Sequence, residues 1–289
     1  MACERLVLGT ALLGSDYGIA HTAKKILPSD FEIIMETAKS AGVCSIDTAV
    51  AYGDSHTILG QIGIEDWSVT TKLPALPESM DSLEEWYRNI ISSSMHDLKI
   101  QQIDTLLVHD VQDLVAEYGA KLIPLLRESK LKGDVKNIGV SIYQPEDLDS
   151  FYDIFRPDIV QCPYSIFDQR MQISGWLQKL NDDGVDVHAR SVFLQGTILR
   201  HRFELNPYFH RWDSFFMNLE SFCKARGVSK LEAAIGFVKQ ESRIHKIIVG
   251  IESEEQLKQI LLAFDRSVEG FHVPCDDIEL LNPLFWEMV

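Results

Sequence analysis

Short runs of apolar and β-branched residues alternate along the chain with longer segments whose apolar positions recur every three or four residues. Most of the short runs are apolar nearly throughout, which is typical of parallel strands that are covered on both faces. The longer segments have the period of amphipathic helices. We predict eight strands, at 5–11, 43–49, 67–73, 104–110, 135–142, 158–164, 185–192 and 246–251.

Capping signals mark several of the helices between these strands. Ser29 and Glu32 have the spacing of a capping box, and Gly42 is placed to end the same helix. Ser229 and Ser253 each precede a segment with helical periodicity. Because a serine side chain accepts a hydrogen bond from the first helical turn, we predict that both residues are N-caps.

The alternation of eight strands with helices predicts the fold. It indicates an α/β protein with a (β/α)8 TIM barrel, formed as a single domain over residues 1–289. The alternative is an open doubly wound sheet, which is less well supported because no Gly-x-Gly-x-x-Gly motif follows the first strand. The longest interruption of the pattern, at 196–227, is expected to mix loop and helix.

Composition and charge narrow the choice of partners. The 27 Lys and Arg residues against 43 Asp and Glu residues leave a net charge of −16. Such a surface disfavours nucleic acid and anionic membranes as partners, because both are negatively charged. The sequence has neither a signal-peptide pattern nor an apolar window of about 18 residues. We therefore expect a cytoplasmic protein, monomeric or a small homo-oligomer, that acts on small molecules.

The cysteines do not have the spacing of a disulfide framework or a zinc site. They are five in number and far apart, with no Cys-x-x-Cys pair. Cys44 and Cys162 lie in apolar runs, so we expect both to be small core residues.

Chemistry is expected where the strands end, because the active sites of TIM barrels lie at that face. Asp47, Lys72 and His109 stand at the ends of the second, third and fourth predicted strands, and Tyr52 follows in a loop. Any one of them has an ordinary structural explanation, such as a helix cap or a packing aromatic. Together they place four complementary side chains on one rim.

Those four side chains suit proton delivery to a carbonyl group. A phenol is a poor acid near neutral pH, and a neighbouring ammonium group favours the phenolate. Lys72 can supply that charge to Tyr52, and Asp47 can hold Lys72 in place. His109 can orient the substrate oxygen or relay a proton. Because no residue stores a hydride, reduction requires a nicotinamide cofactor.

At this point the sequence resembles the aldo-keto reductase family. The catalytic tetrad of that family is matched residue by residue in "DTAVAYG", "TTKL" and "LLVHD", and the likeness extends from "GTALLG" to "ESEEQL". It implies NAD(P)H-dependent reduction of an aldehyde or ketone, or the reverse oxidation of an alcohol or sugar. Tyr52 would then be the proton donor or acceptor. The stretch "GSDYGIA" resembles bacterial members associated with sugar and polysaccharide genes.

The resemblance also implies a set of cofactor-binding residues. The motifs "NIGVS" and "VQCPYSIFDQR" imply contacts to the nicotinamide carboxamide, "RSVFLQG" to the nicotinamide and pyrophosphate, and "GIESEEQL" to the adenosine end. The residues so implied are Ser141 and Gln161, then Arg190, Ser191, Phe193 and Gln195, and finally Gly250, Glu252 and Gln256. The rim of the substrate pocket is expected from the loop after the first strand, from 110–119 and from the C-terminal tail.

Four positions depart from the common pattern of the family. Ile142 and Ser165 stand where asparagine is usual, and Arg190 where many members stack an aromatic ring on the nicotinamide. Arg190 would instead hold a pyrophosphate oxygen or stack its own plane. Glu252 stands where NADP-preferring members commonly carry Arg or Lys. A carboxylate there repels a 2′-phosphate and accepts hydrogen bonds from ribose hydroxyls, which favours NAD(H) over NADP(H).

Two other classes of function are compatible with a barrel. One is a nicotinamide-binding sensor or scaffold subunit without turnover. The other is a metal-dependent hydrolase, which requires several converging His or carboxylate ligands. His109 and Asp110 are adjacent in a strand and point opposite ways, and His188 is the remaining candidate. The sequence therefore predicts no metal site.

Overall fold

The computed structural model describes residues 3–14, 25–77, 79–115, 119–266, 268 and 270–286. At its centre is a closed barrel of eight parallel strands in sequence order, in which the last strand pairs with the first. The strands are β1 Leu6–Gly9, β2 Ser45–Asp47, β3 Ser68–Leu73, β4 Ile103–Val108, β5 Val135–Ser141, β6 Ile159–Pro163, β7 Asp186–Arg190 and β8 Lys246–Gly250. All eight predicted strands and the TIM barrel fold are confirmed.

Helices surround the barrel and connect its strands. The α-helices are α1 Ala11–Gly14, α2 Pro28–Ser40, α3 Ser55–Ile62, α4 Leu83–Leu98, α5 Gln112–Val115, α6 Gly119–Lys132, α7 Glu146–Phe151, α8 Arg170–Ile173, α9 Trp176–Asp182, α10 Asp213–Arg226, α11 Lys230–Gln240, α12 Glu254–Asp265 and α13 Ile278–Leu281. Four short 3-10 helices are Thr197–Leu199, Arg202–Glu204, Pro207–Trp212 and Pro283–Phe285. The segment 196–227 mixes loop and helix, as predicted. None of the described helices is long and apolar enough to cross a bilayer.

Two of the three predicted N-caps are confirmed. The Ser229 hydroxyl accepts from the backbone N–H of Glu232 in a full capping box, and Ser253 caps α12. The capping box predicted at Ser29 is wrong, because α2 begins at Pro28 and Ser29 is already inside the helix. The fixed φ of proline suits the first helical position, and this advances the start of the helix.

The prediction for the cysteines holds at one of two positions. Cys162 is fully buried in β6, whereas Cys44 is exposed, so its assignment to the core is wrong. Cys44 directly precedes β2 and is flanked by the buried residues Val43 and Ser45; successive side chains of an extended segment point to opposite sides, which leaves Cys44 on the solvent side. All five cysteines are free thiols.

The register of the strands brings the polar strand ends to one rim. Asp47 is level with Thr70 of β3, and Lys72 is level with Leu107 of β4. Because every strand runs in the same direction, the carboxyl ends of all eight strands face the same mouth of the barrel.

Candidate active site

A cleft of about 380 Å³ opens at the carboxyl ends of the strands. Ten of the thirteen predicted site residues line it: Asp47, Tyr52, Gln161, Arg190, Ser191, Phe193, Gln195, Gly250, Glu252 and Gln256. The other three, Lys72, His109 and Ser141, are not part of the lining. The cleft has the size of a small-molecule or cofactor site.

Lys72 and Asp47 form a buried ion pair beneath the cleft. The ammonium Nζ of Lys72 lies 2.5 Å from Oδ1 of Asp47 and donates a 2.9 Å hydrogen bond to the carbonyl oxygen of Thr48. Burial by itself would lower the pKa of Lys72, but the carboxylate of Asp47 outweighs it, so the pKa is raised. Lys72 is therefore a fixed positive charge, of which only 1% is exposed.

The ring of Tyr52 lies close to both Lys72 and His109. The ammonium of Lys72 is 5.2 Å from the centre of the Tyr52 ring, and the ring of His109 meets it edge-on at 6.4 Å. The turn that carries Tyr52 is packed against the end of α1. A Cβ atom added to Gly14 would lie 1.5 Å from the carbonyl oxygen of Tyr52, so only glycine fits there.

His109 is neutral in this environment. It follows directly after β4, and burial lowers its pKa to about 4, with further lowering by the charges of Lys72 and Arg190. A neutral imidazole near pH 7 can donate a hydrogen bond to an oxygen without placing another positive charge beside Lys72. The four predicted catalytic residues are thus brought together in one cluster.

Gln161 joins this cluster from the opposite side of the barrel. It lies in the middle of β6 rather than at its end, which corrects the position expected from the sequence. Its Nε2 donates a 2.6 Å hydrogen bond to Oδ2 of Asp47. Its Oε1 is buried and has no hydrogen-bond partner among the described residues. A buried acceptor that lines a cleft suits an N–H donor of a bound ligand, such as the carboxamide of nicotinamide.

The side chain of Arg190 in β7 reaches across β6 and contacts the segment that follows β5. Its guanidinium donates a 2.8 Å hydrogen bond to the carbonyl oxygen of Ile142 and stacks on the ring of Tyr143 at 4.6 Å. Tyr143 lines the cleft and was not among the predicted residues. It lies two residues beyond Ser141, just after the end of β5, and no motif in the sequence singled it out. Ser141 is level with Gln161 and buried beside it.

The loop after β7 is strained where it lines the cleft. Ser191, Leu194 and Gln195 have φ values of 58°, 47° and 51°, in the left-handed region that side chains disfavour. Several residues of this kind in one loop are typical of a ligand site, because the surrounding structure has to offset the strain. This observation fits the predicted role of the loop in holding a cofactor.

The far end of the cleft lies at the start of α12. The backbone N–H of Glu252 donates a 2.6 Å hydrogen bond to Oε1 of Gln256, which closes the loop between β8 and the helix.

The C-terminal segment also reaches the cleft, as expected, through Asn282, Pro283 and Leu284. The loop after β1 contributes Ala11 and Leu12; its residues 15–24, with most of "GSDYGIA", lie outside the described part of the chain. The described residues of 110–119 do not line the cleft.

The described residues do not form a metal-binding site. Within the described ranges, no group of three or more His, Cys, Asp or Glu side chains is placed to hold a metal ion. His188 is buried inside the barrel, and burial lowers its pKa to about 3.

A sequence profile of the Aldo/keto reductase family matches residues 5–269. The chain belongs to the aldo/keto reductase family. This aldo-keto reductase is accordingly an NAD(P)-dependent oxidoreductase that acts on carbonyl or CH–OH groups. The family, the fold and the enzyme class predicted from the sequence are confirmed.

Known relatives of this aldo-keto reductase include dehydrogenases and reductases. It is 24% identical over 270 residues to L-galactose dehydrogenase of Arabidopsis thaliana, covering 88% of this chain and 82% of the relative. It is 27% identical over 217 residues to NADH-specific methylglyoxal reductase of Escherichia coli, covering 68% and 65%. The fold matches an aldo-keto reductase from Bacillus halodurans with a TM-score of 0.73 at 17% identity, over 92% and 88% of the two chains.

Proposed function

We propose that this aldo-keto reductase reduces the carbonyl group of an aldehyde or ketone, or oxidises the corresponding alcohol or sugar, with Tyr52 exchanging the proton. The observation that carries the proposal is the position of Tyr52, which borders the cleft close to the ammonium of Lys72 and the neutral ring of His109. Relatives named as an L-galactose dehydrogenase and a methylglyoxal reductase are consistent with both directions.

Each member of the cluster has a separate task in this proposal. The Tyr52 hydroxyl gives its proton to the substrate oxygen as that oxygen gains negative charge, or takes the proton back in the reverse reaction. Lys72 stabilises negative charge on the phenol, and Asp47 keeps the ammonium in place. Neutral His109 donates a hydrogen bond that orients the substrate oxygen.

A nicotinamide cofactor bound in the cleft would supply or accept the hydride, which none of these side chains can do. Oε1 of Gln161 is the acceptor proposed for the nicotinamide carboxamide, with Ser141 beside it. Arg190 and the strained loop with Ser191, Phe193 and Gln195 are proposed to hold the nicotinamide and pyrophosphate. Gly250, Glu252 and Gln256 border the part of the cleft proposed for the adenosine end.

The proposed preference for NAD(H) over NADP(H) rests on Glu252. Three cations close to it in sequence have other partners. Arg243 is paired with Glu241, and Lys258 with Glu254. Lys246 starts β8 at the opposite end of the barrel, where it donates to the carbonyl oxygen of Glu4. The carboxylate of Glu252 itself lines the cleft, and its negative charge would disfavour a 2′-phosphate there.

The competing proposal is a nicotinamide-binding subunit without turnover. The buried ion pair beneath Tyr52 argues against it, because a protein that only binds has no use for a charge held against a phenol.

Steady-state assays of the purified protein with aldoses, short aldehydes and keto acids, each with NADH and NADPH, distinguish the two proposals. We expect turnover with at least one carbonyl compound, and binding of cofactor without turnover across the panel would contradict the proposed function.

A further inference from the structure

Three buried hydroxyl groups lie directly behind the cluster of Asp47, Lys72 and Tyr52. They belong to Thr10 after β1, Thr48 after β2 and Ser55 at the start of α3, and each residue is at most 1% exposed. The Oγ of Ser55 lies 3.0 Å from Oγ1 of Thr48 and 3.0 Å from Oγ1 of Thr10. None of the three lies among the predicted site residues.

The hydrogen bonds among these hydroxyl groups all point the same way from donor to acceptor. The hydroxyl of Thr10 donates to the carbonyl oxygen of Asp47 at 3.1 Å, and the hydroxyl of Ser55 donates to Thr10. Since a hydroxyl has a single hydrogen, Ser55 can only accept from Thr48. The hydrogen-bonded chain of hydroxyl groups therefore runs from Thr48 through Ser55 and Thr10 to the backbone of Asp47. Ser55 is its central member.

Each end of this chain is attached to a member of the active-site cluster. The carbonyl oxygen of Thr48 accepts from the ammonium of Lys72 at 2.9 Å. The backbone N–H of Thr10 donates to Asp47 at 3.0 Å. The backbone N–H of Ser55 donates to the carbonyl oxygen of Tyr52 at 3.1 Å. Ser55 thus connects the turn of Tyr52 to the strand ends that hold the ion pair.

We propose that Ser55 is a positioning residue, whose hydroxyl sets the position of Tyr52 relative to Lys72. The inference rests on the proposed function of Tyr52. Replacing Ser55 by alanine removes the acceptor that the described residues offer to the buried Thr48 hydroxyl, and it removes the donor to Thr10. The turn of Tyr52 is then tied to β1 and β2 by fewer bonds, and a displacement of about 1 Å at a reacting group is enough to slow catalysis on the order of a hundredfold.

The test compares Ser55→Ala with Thr57→Ala, an exposed position two residues further along the same helix. For Ser55→Ala we expect kcat to fall by about ten- to a hundredfold. The dissociation constant of the reduced cofactor, measured by fluorescence, should stay within about twofold of wild type, because the cofactor-binding residues are untouched. The deuterium isotope effect on kcat with the 4-deuterated cofactor should rise as chemistry becomes slower. Thr57→Ala should match wild type.

The alternative outcomes separate this inference from the proposed function. A Ser55→Ala variant with the wild-type kcat, or one in which kcat and cofactor affinity fall together, overturns the positioning role. If Ser55→Ala does not fold, the isosteric Thr48→Val keeps the test: it removes only the first donor, and a kcat within about twofold of wild type overturns the inference. An active Tyr52→Phe variant instead refutes the proposed function, whatever Ser55→Ala does.

Discussion

The side-chain amide of Gln161 in β6 is hydrogen-bonded to the carboxylate of Asp47 in β2, at 2.6 Å across the interior of the barrel. Both oxygens of Asp47 are therefore engaged, one by Lys72 and one by Gln161. Because a carboxylate can only accept, the amide of Gln161 is fixed with Nε2 toward Asp47 and Oε1 away from that bond. The bond joins the proposed cofactor site to the proposed catalytic pair.

Replacing Gln161 by glutamate should disrupt the hydrogen bond between residue 161 and Asp47. The new carboxylate would meet the carboxylate of Asp47 at close range in a buried site, so one of the two must take up a proton. We expect a lower melting temperature that recovers as the pH falls, and weaker binding of the reduced cofactor. Gln161→Met, which has a similar size and no charge, is the control for the loss of the amide. A Gln161→Glu variant as stable as wild type at alkaline pH would contradict the assignment.

Tyr52→Phe should abolish most of the turnover and leave cofactor binding intact. The ring stays in contact with Lys72 and His109, and only the proposed proton donor is removed. We expect a loss of about two to four orders of magnitude in kcat, the usual scale for a general acid. Tyr87→Phe, in a helix outside the barrel, is the matched control for loss of a tyrosine hydroxyl. A Tyr52→Phe rate within about threefold of wild type would exclude the proton-transfer role.

Cofactor preference should respond to the charge at residue 252. We expect NADH to bind more tightly than NADPH to the wild-type protein, and Glu252→Arg to narrow or reverse the difference. Glu255→Arg makes the same change of charge at an exposed residue of the same helix start, which does not line the cleft. Titration of wild type and both variants with each reduced cofactor by fluorescence gives six dissociation constants. Tighter binding of NADPH by the wild-type protein would refute the preference.

Acid should destabilise the folded protein through its buried histidines. Burial lowers the pKa of His56 from 6.5 to about 4, so between these values the unfolded chain binds the proton and the folded protein does not. The free energy of unfolding therefore falls as the pH decreases through this range. For His56 the loss is on the order of 3 kcal/mol, since one pH unit corresponds to about 1.4 kcal/mol.

The variant His56→Gln isolates this contribution. A glutamine can still bond to Oγ1 of Thr71, the partner of His56 at 2.9 Å, but it does not titrate. Urea unfolding of wild type and variant between about pH 4 and 7 should show a shallower pH dependence for the variant. The exposed His96→Gln is the control and should leave the slope unchanged. Equal slopes for wild type and His56→Gln would contradict the buried-histidine explanation.

Features that depend on residues close together along the chain could be predicted from the sequence. Apolar runs and helical periodicity were sufficient for the eight strands and their order, and strand order alone placed Asp47, Lys72 and His109 on one rim. The N-caps at Ser229 and Ser253 were equally accessible, because a cap is a contact within one helical turn.

Contacts between distant parts of the chain were decided by the tertiary structure. Gln161 and Asp47 are 114 residues apart, and their bond exists because closure of the barrel points both side chains into one interior. The stack of Arg190 on Tyr143 and the hydroxyl chain through Ser55 likewise require three-dimensional neighbours that no local spacing encodes. Periodicity along the chain determines which side of a strand or helix is covered, whereas the register of the closed barrel determines which of the covered side chains meet.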